Sequence, residues 1–329
     1  MAAVVTVCVL SYNHEKWLRK CLESICTQKT DFEFTVLVHE DCSTDGSKAV
    51  LEELVKKYPD KIQTIIQEEN QYSKGINIVQ NFVIPAIKTE YFAICEGDDY
   101  WCSENKLQKQ IDHLEAHPEC NMCFHNAKVV DIDGRFLKTF YPRKMWNDKE
   151  LYKKLEDPRG ADISVEELLR LDFTPTASIV GRTANLRPLL DFSTSMDLVV
   201  RLVTTYDGCA QYFNEIMSAY RTNNPESASG SIKTSPEKLK KSFYDRHVGL
   251  LKEFDKFTEG KFHDEIAHMI KRKKLIYYQH LDDLKGMKRS GVFGELLFYE
   301  RLKYEVKDKL PFVMKLKGVK KVVKKALKR

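Results

Sequence analysis

Two clusters of carboxylates carry most of the chemistry this sequence offers. Glu96, Asp98 and Asp99 fall within four positions, directly after the apolar run Tyr91-Phe92-Ala93-Ile94-Cys95, and Tyr100-Trp101 follow them. Glu40-Asp41 closes a second apolar run that begins at Phe34. Carboxylates crowded in this way repel one another, and a divalent cation relieves the repulsion. Such a cation in turn binds a diphosphate. Oxygen ligands favour Mg²⁺ or Mn²⁺. One acidic pair at a strand end is equally a solvated turn; two clusters, each closing an apolar strand and one flanked by aromatics, favour the ion. A third acid, Asp197, heads the helical stretch Asp197–Thr205, where the positive end of the helix keeps it ionised. A plain N-cap is the alternative there.

These acids need a scaffold, and the spacing of apolar residues supplies one. Val4 to Leu10 is a continuous, β-branched run, as in a parallel strand covered on both faces. Trp17, Leu18, Cys21, Leu22 and Ile25 recur at helical spacing, predicting a helix over about 14–28. Strand Phe34–Val38, helix Ser47–Lys57, strand Lys61–Ile66, a helical segment near Ile76 to Val83 and strand Tyr91–Cys95 follow. Four strand–helix alternations in about a hundred residues define an α/β half with parallel strands. Active residues then belong in the loops beyond the strands' carboxyl ends.

After Asp99 the pattern changes. A helix from Ser103, acting as its cap, to His117 precedes a bent strand or strand pair over Asn121–Val130. Asp131-Ile132-Asp133-Gly134 reads as a hairpin turn before Phe136–Tyr141. Residues 142–161 read as a charged mobile loop, Ile163–Leu171 as a short helix, and Thr176–Gly181, Cys209–Phe213 and Glu215–Tyr220 as strands. Asn223–Ser235, rich in Asn, Ser and Gly, is the expected linker. It separates residues 1–222 (halves 1–100 and 101–222) from a helical region, 236–329, with two long helices over 236–285.

Composition narrows the function classes. The 329 residues are 43% hydrophobic and 31% charged, with 14 Gly and 10 Pro, an ordinary globular mixture. No run of eighteen apolar residues occurs, and Met1–Leu10 lacks a basic leading segment, so it reads as a core strand and not as a secretory signal. Nine scattered cysteines point to reduced, mostly buried thiols and a cytosolic location. The net charge of +5 is a tail: Lys303–Arg329 holds eleven Lys/Arg against two acids, leaving the rest of the chain slightly acidic. That distribution argues against a nucleic-acid partner.

Val7-Cys8-Val9-Leu10-Ser11-Tyr12-Asn13, His39-Glu40-Asp41-Cys42-Ser43-Thr44-Asp45-Gly46-Ser47 and Glu96-Gly97-Asp98-Asp99-Tyr100-Trp101 together resemble the family 2 glycosyltransferases of the GT-A fold. The likeness covers about residues 4–222 and is nearest to bacterial enzymes of capsule, lipopolysaccharide or teichoic-acid-like polymers. It implies an α/β fold with a mostly parallel central sheet, a nucleotide-sugar donor (a UDP-hexose or UDP-N-acetylhexosamine by family frequency), and Mn²⁺ or Mg²⁺. Carried over by position, Ser11, Tyr12 and Asn13 line the nucleotide pocket, and Asp41 meets the nucleobase beside Glu40. Asp45 caps the next turn, while Asn70 and Lys74 approach the ribose and diphosphate. Gln80 stands near a missing arginine. Asp98 contacts the metal with Asp99 assisting, and Glu96 lies nearer the ribose. Asp197 in Ser195-Met196-Asp197-Leu198 becomes the general base of an inverting displacement, although Leu198 replaces the usual aromatic. Pro175 to Arg182 and Tyr220-Arg221 match the acceptor-side strand and the close of the core.

Further candidates each carry two readings. His39 is a nucleotide-positioning or a packing residue; His125 faces the acceptor cleft or the core. Trp101 is pocket wall or core; Trp146 covers an incoming glycan or pins its loop. The lysine-rich C-terminal stripe suits an anionic membrane face or a helix packed on the body. Residues 236–300 then serve as spacer or docking surface, self-association included. The acceptor is a glycan or lipid-linked saccharide. A nucleotidyltransferase is the main rival, though Ser11-Tyr12-Asn13-His14 replaces the Gly/Arg/Lys phosphate loop it needs; a non-catalytic glycan- or membrane-binding relative is the other.

Overall fold

The computed structural model describes residues 4–141, 145–171, 174–193, 197–222 and 239–309. The expected linker over 223–235, residues Ser195-Met196 and the basic C-terminal stripe from Leu310 on lie outside the described residues.

One ten-stranded sheet organises the chain. Its first half is β1 (Val5–Ser11), α1 (Glu15–Cys26), β2 (Phe34–Glu40), α2 (Ser47–Lys57), β3 (Ile62–Ile66) and β4 (Tyr91–Glu96). The second half adds β5 (Tyr100–Trp101), α3 (Lys106–Ala116), β6 (Cys120–Val130), β7 (Phe136–Thr139), α4 (Lys149–Glu156), β8 (Ala161–Ile163), α5 (Val165–Arg170), β9 (Val180–Arg182), α6 (Asp197–Thr205) and β10 (Cys209–Arg221). Along the sheet the order is β3-β2-β1-β4-β9-β6-β10-β5, with β7 on β6 and β8 on β10. β1, β2, β3 and β4 run parallel, as do β6 and β10, while β9 lies antiparallel between β4 and β6.

The apolar runs follow from burial on both faces. Val5, Val7 and Val9 join one core cluster with α1 and α2, whereas Cys8 packs into the cluster on the opposite face. Strand order places the reversal beside β1: the chain runs outward through β2 and β3, then returns to β4 on the other side. Register sets Ser11 against Glu40 and Leu10 against Glu96. Both acidic clusters therefore flank the carboxyl end of one strand, where α/β sheets bind ligands.

Several elements differ from the sequence expectation. The loop expected over 142–161 contains α4, because Asp148 accepts the Leu151 N–H and Leu151, Tyr152 and Leu155 are buried. α3 starts at Lys106 without a side-chain cap, not at Ser103. Residues 176–178 form a 3₁₀ turn and not a strand, and the two strand pieces after Cys209 are one strand, bulged between Phe213 and Ile216. The hairpin turn at 131–134 and the bounds of α2 and α6 are as expected. Helices α7 (Arg246–Phe257) and α8 (His263–His280) place Leu250, Leu251, Phe254, Ile266 and Met269 in the same core as Val199 and Leu202 of α6. No described helix is long and apolar enough to cross a membrane.

Candidate active site

β1 ends at Ser11, and Asn13 turns the chain into α1 with φ 54°. The loops after β1 and β2 are then laced together. Asn13 Oδ1 accepts the Thr44 N–H at 2.9 Å, and the Asn13 and His14 N–H groups donate to Ser43 and Ser47 hydroxyls at 3.0 and 2.8 Å. Asp45 does what was expected of it: Oδ1 accepts the Ser47 N–H and Oδ2 the Glu15 N–H. Tyr12 stays 41% exposed at the rim, while the Ser11 hydroxyl is buried without a hydrogen-bond partner.

The first acidic cluster faces inward. Glu40 and Asp41 are each 1% exposed. Glu40 accepts the Cys42 and Ser43 N–H groups at 3.1 and 2.8 Å. Asp41 takes the N–H groups of Gln71 and Tyr72 at 2.8 and 3.0 Å. Cys42 adopts φ 59°, and such a tight turn aims backbone donors back at the preceding carboxylate. Both acids thus hold loops in place. Asn70 likewise accepts the Ser73 N–H at 2.6 Å, and Lys74 pairs with Glu69 at the surface. Gln80 bridges the two halves by donating to Leu189 O and Phe192 O, both at 2.7 Å.

The second cluster is the electrostatic centre. Gly97 donates to Leu10 O at 2.9 Å, and only a glycine fits: a Cβ there would stand 2.5 Å from His14 Nδ1. Burial, then the charges of Asp197 and Asp98, push the Glu96 carboxyl up to about 8. Asp99 is 2% exposed, its Oδ1 accepting the Arg221 N–H at 2.7 Å and its Oδ2 buried without a partner. Burial and neighbouring Asp98 hold Asp99 well above the carboxylate range. One oxygen of the Asp99 carboxyl is thus engaged by the Arg221 N–H. No described group hydrogen-bonds the Asp98 side chain, which is half-buried.

Asp197 approaches from the other half. Burial raises its carboxyl, opposed by the Thr176 hydroxyl at 2.9 Å and by Arg201 and Arg246. Tyr220 completes the ring; burial, then Asp99, Asp197, Asp98 and Glu96, push its phenol up. Two β10 residues thus enter the site, although the sequence suggested them only as the close of the core. Arg221 is the more consequential: Nε donates to Asp98 O at 2.8 Å, and Nη1 to Asp131 O and Ile132 O at 2.9 and 2.8 Å.

The remaining candidates resolve toward packing. His39 is buried, with Nε2 3.0 Å from the Gln67 amide and its ring against Phe82. His125 is buried with Nδ1 2.7 Å from Asn126 O. Trp101 and Trp146 are core residues, Trp146 bridging to Leu296 beneath Arg272. Cys120-Asn121-Met122-Cys123 has the spacing of a metal-ligand pair, yet both thiols are buried and approach the carbonyls of Met122 and Gln110.

Among the described residues no trio of His, Cys, Asp or Glu is already gathered as a metal site. The donor chemistry nevertheless fits a hard divalent cation at Asp98. Its carboxylate has no described hydrogen-bond partner, the neighbouring acids offer oxygen ligands, and the Glu96 carboxyl, raised first by burial and then by Asp197 and Asp98, carries a repulsion that a cation would offset.

The profile of glycosyl transferase family 2 matches residues 6–166. An uncharacterized protein of Mycobacterium tuberculosis is 34% identical over 180 residues, covering 54% of this chain and 46% of its own length. The chain thus spans about half the length of such mycobacterial relatives. The putative teichuronic acid biosynthesis glycosyltransferase TuaG of Bacillus subtilis is 24% identical over 234 residues, covering 70% and 84%. Among solved structures, S. aureus TarS 1–349 in complex with UDP-GlcNAc superposes with TM-score 0.54 at 19% identity, covering 91% of this chain and 78% of that one. The mannosyltransferase PcManGT of Pyrobaculum calidifontis, in complex with GDP-Man and Mn²⁺, gives 0.50 at 13%, covering 95% and 88%. At these identities the likeness is one of fold, and the fold is the GT-A architecture expected from the sequence.

Proposed function

Since this chain is a member of glycosyl transferase family 2, we propose that it transfers a sugar from a nucleotide-diphosphate donor to a saccharide hydroxyl by inverting displacement. The observation that carries the proposal is the meeting of four carboxylates from both halves. Glu96 closes β4 with Asp98 and Asp99 just beyond it, Asp197 heads α6, and their charges bear on one another: Asp197 and Asp98 on Glu96, and all four on the Tyr220 phenol.

Asp98 is the residue to hold Mn²⁺ or Mg²⁺, which when bound supplies positive charge against the departing diphosphate. Asp197 accepts the proton of the acceptor hydroxyl as that oxygen attacks the anomeric carbon. Arg201 and Arg246 favour the ionised form that this role needs. Arg221 fixes the Asp98 backbone, and Gly97 lets β4 approach His14. Glu40 and Asp41 shape the nucleotide side by holding the 42–44 and 69–75 loops, and Tyr12 stands exposed at its rim.

A UDP-hexose or UDP-N-acetylhexosamine is the proposed donor, supported by the UDP-GlcNAc in the TarS structure. The proposed acceptor is a glycan or lipid-linked saccharide of bacterial surface-polymer synthesis, supported by the likeness to TuaG. We place the reaction at the inner face of the plasma membrane, reached through the basic C-terminal stripe. The test is nucleotide release from a panel of UDP- and GDP-sugars with Mn²⁺. Release is expected to depend on the donor, to vanish with chelator, and to be lost in Asp98→Ala and Asp197→Asn. Undiminished release after chelation would sink the proposal.

A further inference from the structure

The 3₁₀ turn Thr176–Ser178 is held at every residue. The Thr176 hydroxyl donates to Asp197 Oδ2 at 2.9 Å. Ala177 O accepts the Trp101 indole N–H at 3.0 Å, and Ser178 O accepts the Gln110 side-chain amide at 2.9 Å. Gln110 Oε1 in turn accepts from Lys106 Nζ at 2.7 Å, and that nitrogen lies 4.1 Å from the Trp101 ring centroid. Trp101, Lys106, Gln110, Thr176, Ala177 and Ser178 are all buried. Buried polar groups joined in this way fix one arrangement, because each broken link strands a partner away from water. Trp101 stands two residues beyond Asp99, so the strut runs from the donor-side acidic motif to the acid of the acceptor side.

We propose that Thr176 is a positioning residue for the reaction. Its hydroxyl occupies one oxygen of Asp197 and leaves the other turned to the acceptor, and its own place is set by Trp101, Gln110 and Lys106. This rests on Asp197 being the general base. Groups that bear on the carboxylate come from every side: Arg201 from its own helix, Arg246 from α7, Glu96 from β4 and Tyr220 from β10. The Asp197 backbone N–H also hydrogen-bonds the carboxylate, and the Thr176 hydroxyl adds a side-chain hydrogen bond to it from outside α6. A valine at 176 keeps the shape of threonine and loses the donor; a serine keeps the donor.

The full-length protein with ¹³C-labelled aspartate carboxyls provides a readout that needs no substrate. The Asp197 resonance is identified by its loss in Asp197→Asn. In Thr176→Val it is expected to titrate about one pH unit higher than in wild type, and in Thr176→Ser at the wild-type position, since a hydrogen bond to the ionised form favours that form. With UDP-N-acetylglucosamine and Mn²⁺, nucleotide release by Thr176→Val should show kcat about tenfold lower below the shifted limb. The donor KM should be unchanged, and Thr176→Ser should restore kcat. Superimposable titrations of Thr176→Val and wild type would overturn the positioning role alone, as would equal shifts in the valine and serine variants. Release surviving in Asp197→Asn would overturn the base assignment and the positioning role with it.

Discussion

Arg221 binds Asp99 through its backbone and the Asp98 carbonyl through its side chain: N–H to Asp99 Oδ1 at 2.7 Å, Nε to Asp98 O at 2.8 Å. One residue at the end of β10 therefore separates two adjacent acids into different tasks. Asp99 is turned inward as an anchor, and the half-buried Asp98 side chain has no described hydrogen-bond partner.

That separation predicts opposite phenotypes for neighbouring substitutions. Asp99→Asn retains an acceptor for the Arg221 N–H and replaces a carboxyl that burial already holds toward its neutral form with a neutral group of the same shape, so its melting temperature should match or exceed that of wild type at pH 7. Asp99→Ala strands the Arg221 donor and should lower stability by about 1–3 kcal/mol. Asp98→Asn should leave stability unchanged and abolish Mn²⁺ binding in the presence of UDP, measured by calorimetry. Weaker Mn²⁺ binding by Asp99→Asn than by Asp98→Asn would reverse the assignment.

Gly97 offers a test of the approach between β4 and the β1 loop. An alanine Cβ there would lie 2.5 Å from His14 Nδ1 and 2.9 Å from Leu10 O. Gly97→Ala should destabilise the protein by about 1–3 kcal/mol, as overpacking does, and reduce nucleotide release. Adding His14→Ala should recover part of the loss, because the imidazole clash is removed while the Leu10 carbonyl remains. Denaturant unfolding of the two single variants and the double variant measures that coupling.

Lys106 carries a pH signature. Its ammonium is enclosed by Trp101, Gln110 and the thiols of Cys95 and Cys123, and burial pushes it down to about 7. A lysine lowered in the folded state holds fewer protons there than in the unfolded chain between pH 7 and about 10.4. Its contribution to stability therefore rises with pH across that window and is most unfavourable below 7. Relative to wild type, Lys106→Met should be better off at pH 6.5 than at pH 9.5 by on the order of 1–3 kcal/mol, set against a pH-independent cost for the Gln110 Oε1 that loses its donor. Thermal melts of variant and wild type at the two pH values give the difference; an advantage that grew with pH would refute it.

The sheet was legible because its strands are buried on both faces. Val5, Val7, Val9 and Cys8 must all be apolar, and the acids that end such strands stand out sharply. Backbone demand was not legible. Glu40 and Asp41 resemble ligand contacts in sequence, but the turn through Cys42 and the segment at Gln71-Tyr72 present N–H groups that only these carboxylates can satisfy. Nor did the pattern reveal β10 as one strand, since its bulge at Asn214-Glu215 is polar and Glu215 pairs at the surface with Lys109. α4 was hidden by its charged outer face, although Leu151, Tyr152 and Leu155 sit one turn apart or less.

Gln80 has a structural partner that the sequence does not reveal. The sequence sets it near an arginine that the resemblance leads one to expect beside the diphosphate. In the structure its amide nitrogen donates to both Leu189 O and Phe192 O, joining the segment before β4 to the chain that leads into α6. It thereby ties those two segments together. Gln80→Leu leaves two carbonyls without that donor and should cost about 1–3 kcal/mol. Donor KM should stay within about twofold, because no donor contact is lost, while kcat falls as Asp197 loosens relative to Asp98. A large rise in donor KM at unchanged stability would instead make Gln80 a substitute for the missing arginine. Urea unfolding combined with donor titration of the same variant separates the two.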